Sequence, residues 1–291
     1  MSQLQVRIAA PAVTVRWRDQ VAWKRYRLLL IGGVLVAIVL LSAIFAGQIS
    51  PHSPYAIDIA GKLKPPSPQH LFGTDEYGRD VLSRTIFAAR ISMEVAAVAV
   101  SIGLLGGTLV GVASAYLGDP IDTILMRLME LVFSFPAILL AVVLMAILGT
   151  SAFNAMIAIG IIFIPGFARL ARVSTQRVLR QQYIEAAHAI GMSDWRIVFR
   201  EIMPNVITPL LVEGTVAFAY AVLLESSLSF LGLGAQPPEP SWGNMLNSGR
   251  GFMDQAAWLG IVPGAAIFLA VLGFNLFGDG LRDWLDPHLK G

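Results

Sequence analysis

Six apolar runs, each about long enough to cross a bilayer, constrain this chain more than any other feature. They cover residues 28–46, 95–117, 128–148, 152–168, 206–228 and 257–277. A hydrocarbon core of about 30 Å takes roughly 20 apolar residues in a helix. The first run carries no charge, and the fifth is interrupted by Glu213 and Glu225. Composition agrees: 56% of the 291 residues are hydrophobic and 14% are charged. Soluble domains hold about 25% charged residues, so this chain cannot clothe a water-facing surface. These runs imply an all-α polytopic membrane protein with six transmembrane helices. The first run is not read as a signal peptide, because a long polar stretch precedes it and no Ala-x-Ala site closes it.

Six crossings put both termini on one side, and the distribution of Arg and Lys says which. Arg16, Arg18, Lys24, Arg25 and Arg27 precede the first run. Arg169, Arg172, Arg177, Arg180, Arg196 and Arg200 lie between the fourth and fifth, and Arg282 and Lys290 come after the sixth. That side is read as cytoplasmic. The first loop on the other side also carries Lys62, Lys64, Arg79, Arg84 and Arg90, beside Asp58, Asp75, Glu76 and Asp80. The organisation read is a cytoplasmic segment 1–27, a first span and extracytoplasmic loop 28–94, a core of five further spans 95–280, and a cytoplasmic tail 281–291. The lipid membrane is one partner, and a net charge of +2 gives no reason to add nucleic acid.

Small residues crowd the second run. Gly107 and Gly111 form a small-xxx-small pair, which predicts a close helix–helix contact. Pro136, Pro165, Pro209 and Pro263 sit inside runs, where each removes a backbone donor and can kink its helix.

The segment 183–204 reads as helix, break, helix. Ile184, Ala187, His188 and Gly191 share a helical face. Gly191 supplies the break because it tolerates positive φ. Ser193 or Asp194 can cap the second short helix, and Pro204 disfavours helix at Met203, turning the chain back toward the membrane. Ala186 and Ala187 offer little bulk, so a partner's groove could close over them.

Glu185-Ala-Ala, Gly191 four residues after Ala187 and Pro204 thirteen after Gly191 resemble the EAA motif of bacterial ABC importer permeases. Glu201 and Met203 stand where that motif has Ile and Leu, with Ile202 and Met203 keeping its end apolar. His70-Leu-Phe-Gly-Thr-Asp-Glu-Tyr-Gly-Arg-Asp-Val-Leu-Ser-Arg84 is similar to the dipeptide, oligopeptide and nickel branch of that family. The same holds for Leu228-Ser-Phe-Leu-Gly-Leu-Gly-Ala-Gln-Pro-Pro-Glu-Pro-Ser-Trp-Gly-Asn-Met-Leu246 and for Phe274-Asn-Leu-Phe-Gly-Asp-Gly-Leu-Arg-Asp-Trp-Leu-Asp-Pro287. The resemblance implies that 183–204 holds a cytoplasmic coupling helix seated on an ATPase subunit, with Glu185, Ala186, Ala187, Gly191 and Pro204 as its key residues. It further implies a second homologous permease, cytoplasmic ATPase subunits and an extracytoplasmic substrate-binding protein. The substrate is expected to be a peptide or a related small solute.

Polar residues in the runs have two readings each. Glu225, with Ser226 and Ser227 beside it, either lines a translocation path or is a structural carboxylate paired across helices. Glu213 reads as structural, and so does the pair Arg127 and Glu130, three apart on a helix face. Asp75, Glu76 and Asp80 are interleaved with Arg79 and Arg84, which favours a salt-bridged loop over a cation site. The histidines His52, His70, His188 and His288 are scattered and there is no cysteine, so no metal site is expected. Trp242 is expected near the membrane interface. No phosphate-binding Gly-rich loop occurs among the Lys24, Lys62, Lys64 and Lys290 contexts, and no nucleophile elbow exists. The chain is therefore not expected to be an enzyme or to bind a cofactor. An ion-coupled secondary transporter and a non-transporting scaffold are the rival readings, the first turning on Glu213 or Glu225.

Overall fold

A computed structural model describes residues 16–285, with side chains from Arg27 onward. The tail positions Asp286, Pro287, His288 and Lys290, and the stretch before Arg16, lie outside the described residues. The described chain is helical throughout, with no strand beyond a single bridge between Thr74 and Asp80.

Helix α1 spans Arg16–Ile44 and the short α2 spans Ala46–Ile49. A loop then leads to α3, Val81–Leu117. Helices α4, Ile121–Phe133, and α5, Ala137–Leu148, come next, and then α6, Ala152–Leu179. The segment 182–202 contains α7, Gln182–Ala189, and one turn, α8, Asp194–Arg196. The last three are α9, Met203–Phe230, the short α10, Trp242–Gly249, and α11, Trp258–Leu285. Five continuous helical stretches are long and apolar enough to cross a membrane, and six if the bent pair α4–α5 counts as one span.

Several helices outrun their apolar runs. At 37 residues, α3 is about 55 Å long. Hydrophobicity marks only the part that lipid or core must solvate; the first turns of α3 carry Arg84, which is buried in protein, and Arg90 and Glu94, which are exposed. Asp80 starts this helix by accepting the Ser83 backbone N–H, as an N-cap does. Outward faces are apolar where lipid would lie: Leu30, Val34, Ile38 and Leu41 on α1, and Leu105 and Leu109 on α3.

The third run is not one straight span. Its two halves, α4 and α5, meet at 91° across the break at residues 134–136. Pro136 offers no N–H to continue the helix, and it biases Phe135 away from helical geometry. Pro165, Pro209 and Pro263 stay inside continuous helices.

Helices α3 and α6 run side by side and form the tightest seam. A Cβ added at Gly107 would lie 2.7 Å from the Ile164 carbonyl oxygen, and one at Gly111 would strike the backbone of Ala168. The small-xxx-small pair makes the close contact its spacing predicts, and the structure assigns the partner helix to this chain; only hydrogen at these positions lets two backbones approach so closely. Helix α1 runs antiparallel to α11, with Gly32 against Phe277 and Gly273 against Leu35. One end of the bundle thus gathers the 50–80 loop and α10. The other gathers the 182–202 segment, the α3–α4 turn and the two ends of the described chain.

Candidate coupling and loop sites

The 182–202 segment forms a hook that turns at Gly191, where φ is +75°. L-residues rarely adopt that conformation. The Gly191 N–H donates to the His188 carbonyl at 3.0 Å, and the Met192 N–H to the Ala187 carbonyl at 3.0 Å, which closes α7. Beyond the turn the chain departs from the sequence-based expectation. Ser193 stands at the start of α8 but its hydroxyl makes no capping bond. Asp194 instead accepts the Tyr116 hydroxyl at 2.8 Å, tying the hook to the end of α3. Pro204 does not turn the chain either. Met203 is helical, with φ −55° and ψ −43°, and Asp194–Phe230 runs on as one stretch. The wide π-type turns of Ile197–Ile202 lead into Pro204 at the first turn of α9, and their looser winding accommodates the proline that lacks an N–H.

Ile184, Ala187, Ile197 and Ile202 are buried and seat the hook on α6 and α9. Ala187 thus faces inward, against the expectation that it is open to a partner. His188, expected on its face, points to solvent. Glu185, Ala186, Gly191 and Pro204 are exposed. Between them the structure reveals large apolar groups that residue order did not single out: Ile190 is 77% exposed and Trp195 73%, with the Trp195 and Phe199 rings 3.9 Å apart. A lone tryptophan in a hydrophilic stretch beside Gly191 is the signal that could have found them.

Glu225 is enclosed, at 1% exposure. It accepts the Ser92 hydroxyl of α3 at 2.9 Å and the Ser229 hydroxyl at 2.8 Å. Ser92 reaches it across the α3–α9 contact, while Ser229 lies one turn on in α9 itself. Glu213 is instead exposed and makes no ion pair among the described residues. With Tyr220, Phe135 and Phe163 it lines a cavity of about 410 Å³ between the α4–α5 elbow, α6 and α9. Arg127 and Glu130 pair at 2.9 Å on α4, none of whose residues is buried. Asp122 of α4 is held by Arg172 of α6 at 2.5 Å and by Ser114.

At the opposite end the acidic loop is salt-bridged. Asp75, 4% exposed, takes Arg79 Nε at 2.6 Å and Arg84 Nε at 3.3 Å, and also accepts the backbone N–H groups of Tyr77 and Arg79. Glu76 lies 3.4 Å from Arg79, and burial pushes its carboxyl above the usual range. Asp80 leaves this network: its Oδ1 is 2.9 Å from His70 Nδ1 and 3.8 Å from His52 Nδ1. Histidines 18 residues apart in sequence, which read as scattered, are neighbours here. Trp242 packs inside the protein at this end of the bundle. It is buried, and its indole N–H donates to the Thr85 carbonyl at 3.0 Å. The Trp258 indole N–H likewise reaches the Thr74 carbonyl at 3.1 Å.

Comparison with known proteins bears on what this arrangement serves. Residues 107–291 match the family described as binding-protein-dependent transport system inner membrane component. Residues 17–66 match the N-terminal TM domain of oligopeptide transport permease C. The dipeptide transport system permease protein DppC of Alkalihalophilus pseudofirmus is 42% identical over 275 residues, covering 94% of this chain and 90% of that one. The glutathione transport system permease protein GsiD of an Escherichia coli strain is 42% identical over 273 residues, 92% of this chain and 90% of that one. Among solved structures, the inward-facing MetNI methionine ABC transporter aligns with a TM-score of 0.58 at 17% identity, covering 70% of this chain and 97% of that one. That likeness shows the shared fold. The chain therefore belongs to the binding-protein-dependent transport inner membrane components: it is an oligopeptide permease C-type, multi-pass subunit of an ABC importer, and its ATPase and binding protein are other chains.

Proposed function

We propose that this permease carries peptides, or a peptide-like solute of the size of glutathione, and that its hook lies on the cytoplasmic side and transmits ATPase movement into the bundle. One observation carries the coupling role: a Gly191-turned hook that buries its inner face on α6 and α9 while presenting Ile190 and Trp195 to solvent. An exposed apolar patch with a polar surround marks a protein contact. Glu185, Ala186 and Gly191 flank that patch, with Pro204 at the base of α9. Ala187 acts from behind, as part of the seat. The Arg-rich ends of the spans on the hook side support its cytoplasmic placement and that of both termini.

Peptide transport is supported by relatives that are named for dipeptide and glutathione transport and match this chain along nearly its whole length. A second, homologous permease completes the pathway. It packs on the open side of the bent pair, where α4 buries nothing, and the cavity bordered by Glu213 and Tyr220 becomes one wall. In this reading Glu225 pins α9 to α3 behind that wall. Uptake of a labelled dipeptide into cells expressing the chain with its neighbouring subunits tests the proposal. Uptake must stop on ATP depletion and persist when the proton gradient alone is collapsed. Uptake that tracks the proton gradient instead would overturn it.

A further inference from the structure

We infer that His52, His70 and Asp80 form a binding site for a divalent transition cation of the zinc type, at the end of the bundle opposite the hook. Their three donor atoms, one from each side chain, lie within 4.8 Å of one another. Four-coordinate zinc, with ligands at about 2.0–2.2 Å, spaces neighbouring donors about 3.3 Å apart. The His70–Asp80 and His52–Asp80 separations, 2.9 and 3.8 Å, bracket that value. The two imidazole donors are the widest pair, up to 4.8 Å apart, and close by about 1.5 Å to complete the set.

The surroundings hold the donors in place, as outer partners do in metal sites. Asp80 Oδ2 accepts both the Ser83 N–H, at 2.8 Å, and the Ser83 hydroxyl, at 2.7 Å, which leaves Oδ1 free to face the imidazoles. The same Ser83 oxygen accepts the His52 backbone N–H at 3.1 Å. The His70 backbone N–H is anchored on the Ser67 hydroxyl at 3.2 Å. Arg79 and Arg84, the cations that could compete for Asp80, are engaged with Asp75. The side is open as well: Asp80 is buried, but the His52 side chain is 42% exposed, so a water can take a fourth position.

The donor set selects the ion. Two imidazoles and one carboxylate suit zinc and its neighbours, whereas calcium and magnesium prefer oxygen alone. Ligation through His70 Nδ1 uses the imidazole tautomer that carries its proton on Nε2, so the Nδ1–Asp80 contact gives way to two bonds to the ion. The bound ion would clasp the segment after α2 to the start of α3, joining the first crossing to the second.

The test uses the full chain in lipid nanodiscs, its affinity tag removed and its metal stripped. Titration with Zn²⁺ is monitored by calorimetry, and Co²⁺ by visible absorption. One equivalent of Zn²⁺ should bind, and Co²⁺ should show the intense bands of a tetrahedral site. His52→Gln and His70→Gln should abolish the tetrahedral signal and weaken Zn²⁺ binding at least about tenfold. Ser83→Ala, which unfastens Asp80, should weaken it by about 10- to 100-fold. His188→Gln, on the hook, should change nothing. His52 makes the decisive variant, since its partly exposed side chain can be replaced without emptying a core. A chain that takes up no stoichiometric Zn²⁺, or whose affinity is unchanged in His52→Gln, overturns the inference.

Discussion

The loop at one end of the bundle is held by charges that have left water, while the hook at the other end leaves its largest apolar groups in water. Thr74, Asp75, Arg79, Asp80 and Arg84 are all buried, and Trp242 and Trp258 add indole bonds from distant helices. The hook rests on four small-to-medium apolar side chains, the Tyr116–Asp194 bond and a long one from Asn205 to Tyr183 at 3.3 Å. Buried, fully paired charges give a single geometry, and removing one partner strands the others. A thinly tied segment with an exposed aromatic patch can move along with its partner. The same bundle therefore has a fixed end and an adaptable end, a division that suits the coupling role proposed for the hook.

Substitutions at four positions probe this contrast. Asp75→Ala should act most strongly, since it strands Arg79 and Arg84 in a buried site. A loss of about 3–5 kcal/mol in detergent-solubilised unfolding is expected. A loss below about 1 kcal/mol would mean that the loop is not the rigid end. Gly191→Leu comes next. Open space surrounds the position, so the cost is the positive φ, about 1–3 kcal/mol and confined to the hook. Membrane insertion should persist while ATP-driven uptake is lost, and Gly191→Asn, which tolerates this conformation, should restore much of it. Normal uptake in Gly191→Leu would count against coupling through the hook. Trp242→Phe keeps the packing and deletes one bond to Thr85, for about 1 kcal/mol by the same unfolding measurement. Trp195→Ala should alter stability least, by about 0.5 kcal/mol or less. Retention of the ATPase on co-purification should nonetheless fall several-fold. Equal retention would remove Trp195 from the contact.

Much of the fold was legible because membrane helices are specified locally. The runs at 28–46, 95–117, 152–168, 206–228 and 257–277 each lie within, or overlap most of, a long helix, while the helix ends were misjudged where protein rather than lipid receives them. Arg84 and Glu94 ended the apolar signal of α3, yet the helix begins at Val81. The EAA-like order of Glu185, Gly191 and Pro204 located the hook, but not its orientation. Ala187 turns inward with Ile184, whose face it shares by spacing; which neighbour that face meets is what residue order does not express.

Local residue order was enough for the helical membrane class, the close packing at Gly107 and Gly111 and the turn at Gly191. Each rests on hydrophobic period, residue size or backbone freedom within a few positions. It took the folded bundle to bring Glu225 to Ser92, to set Glu213 beside a cavity and to converge His52 and His70 on Asp80. Those meetings depend on which faces of distant helices turn toward one another. In lipid, that choice is made by close packing and polar contacts over the whole bundle, not by any local pattern.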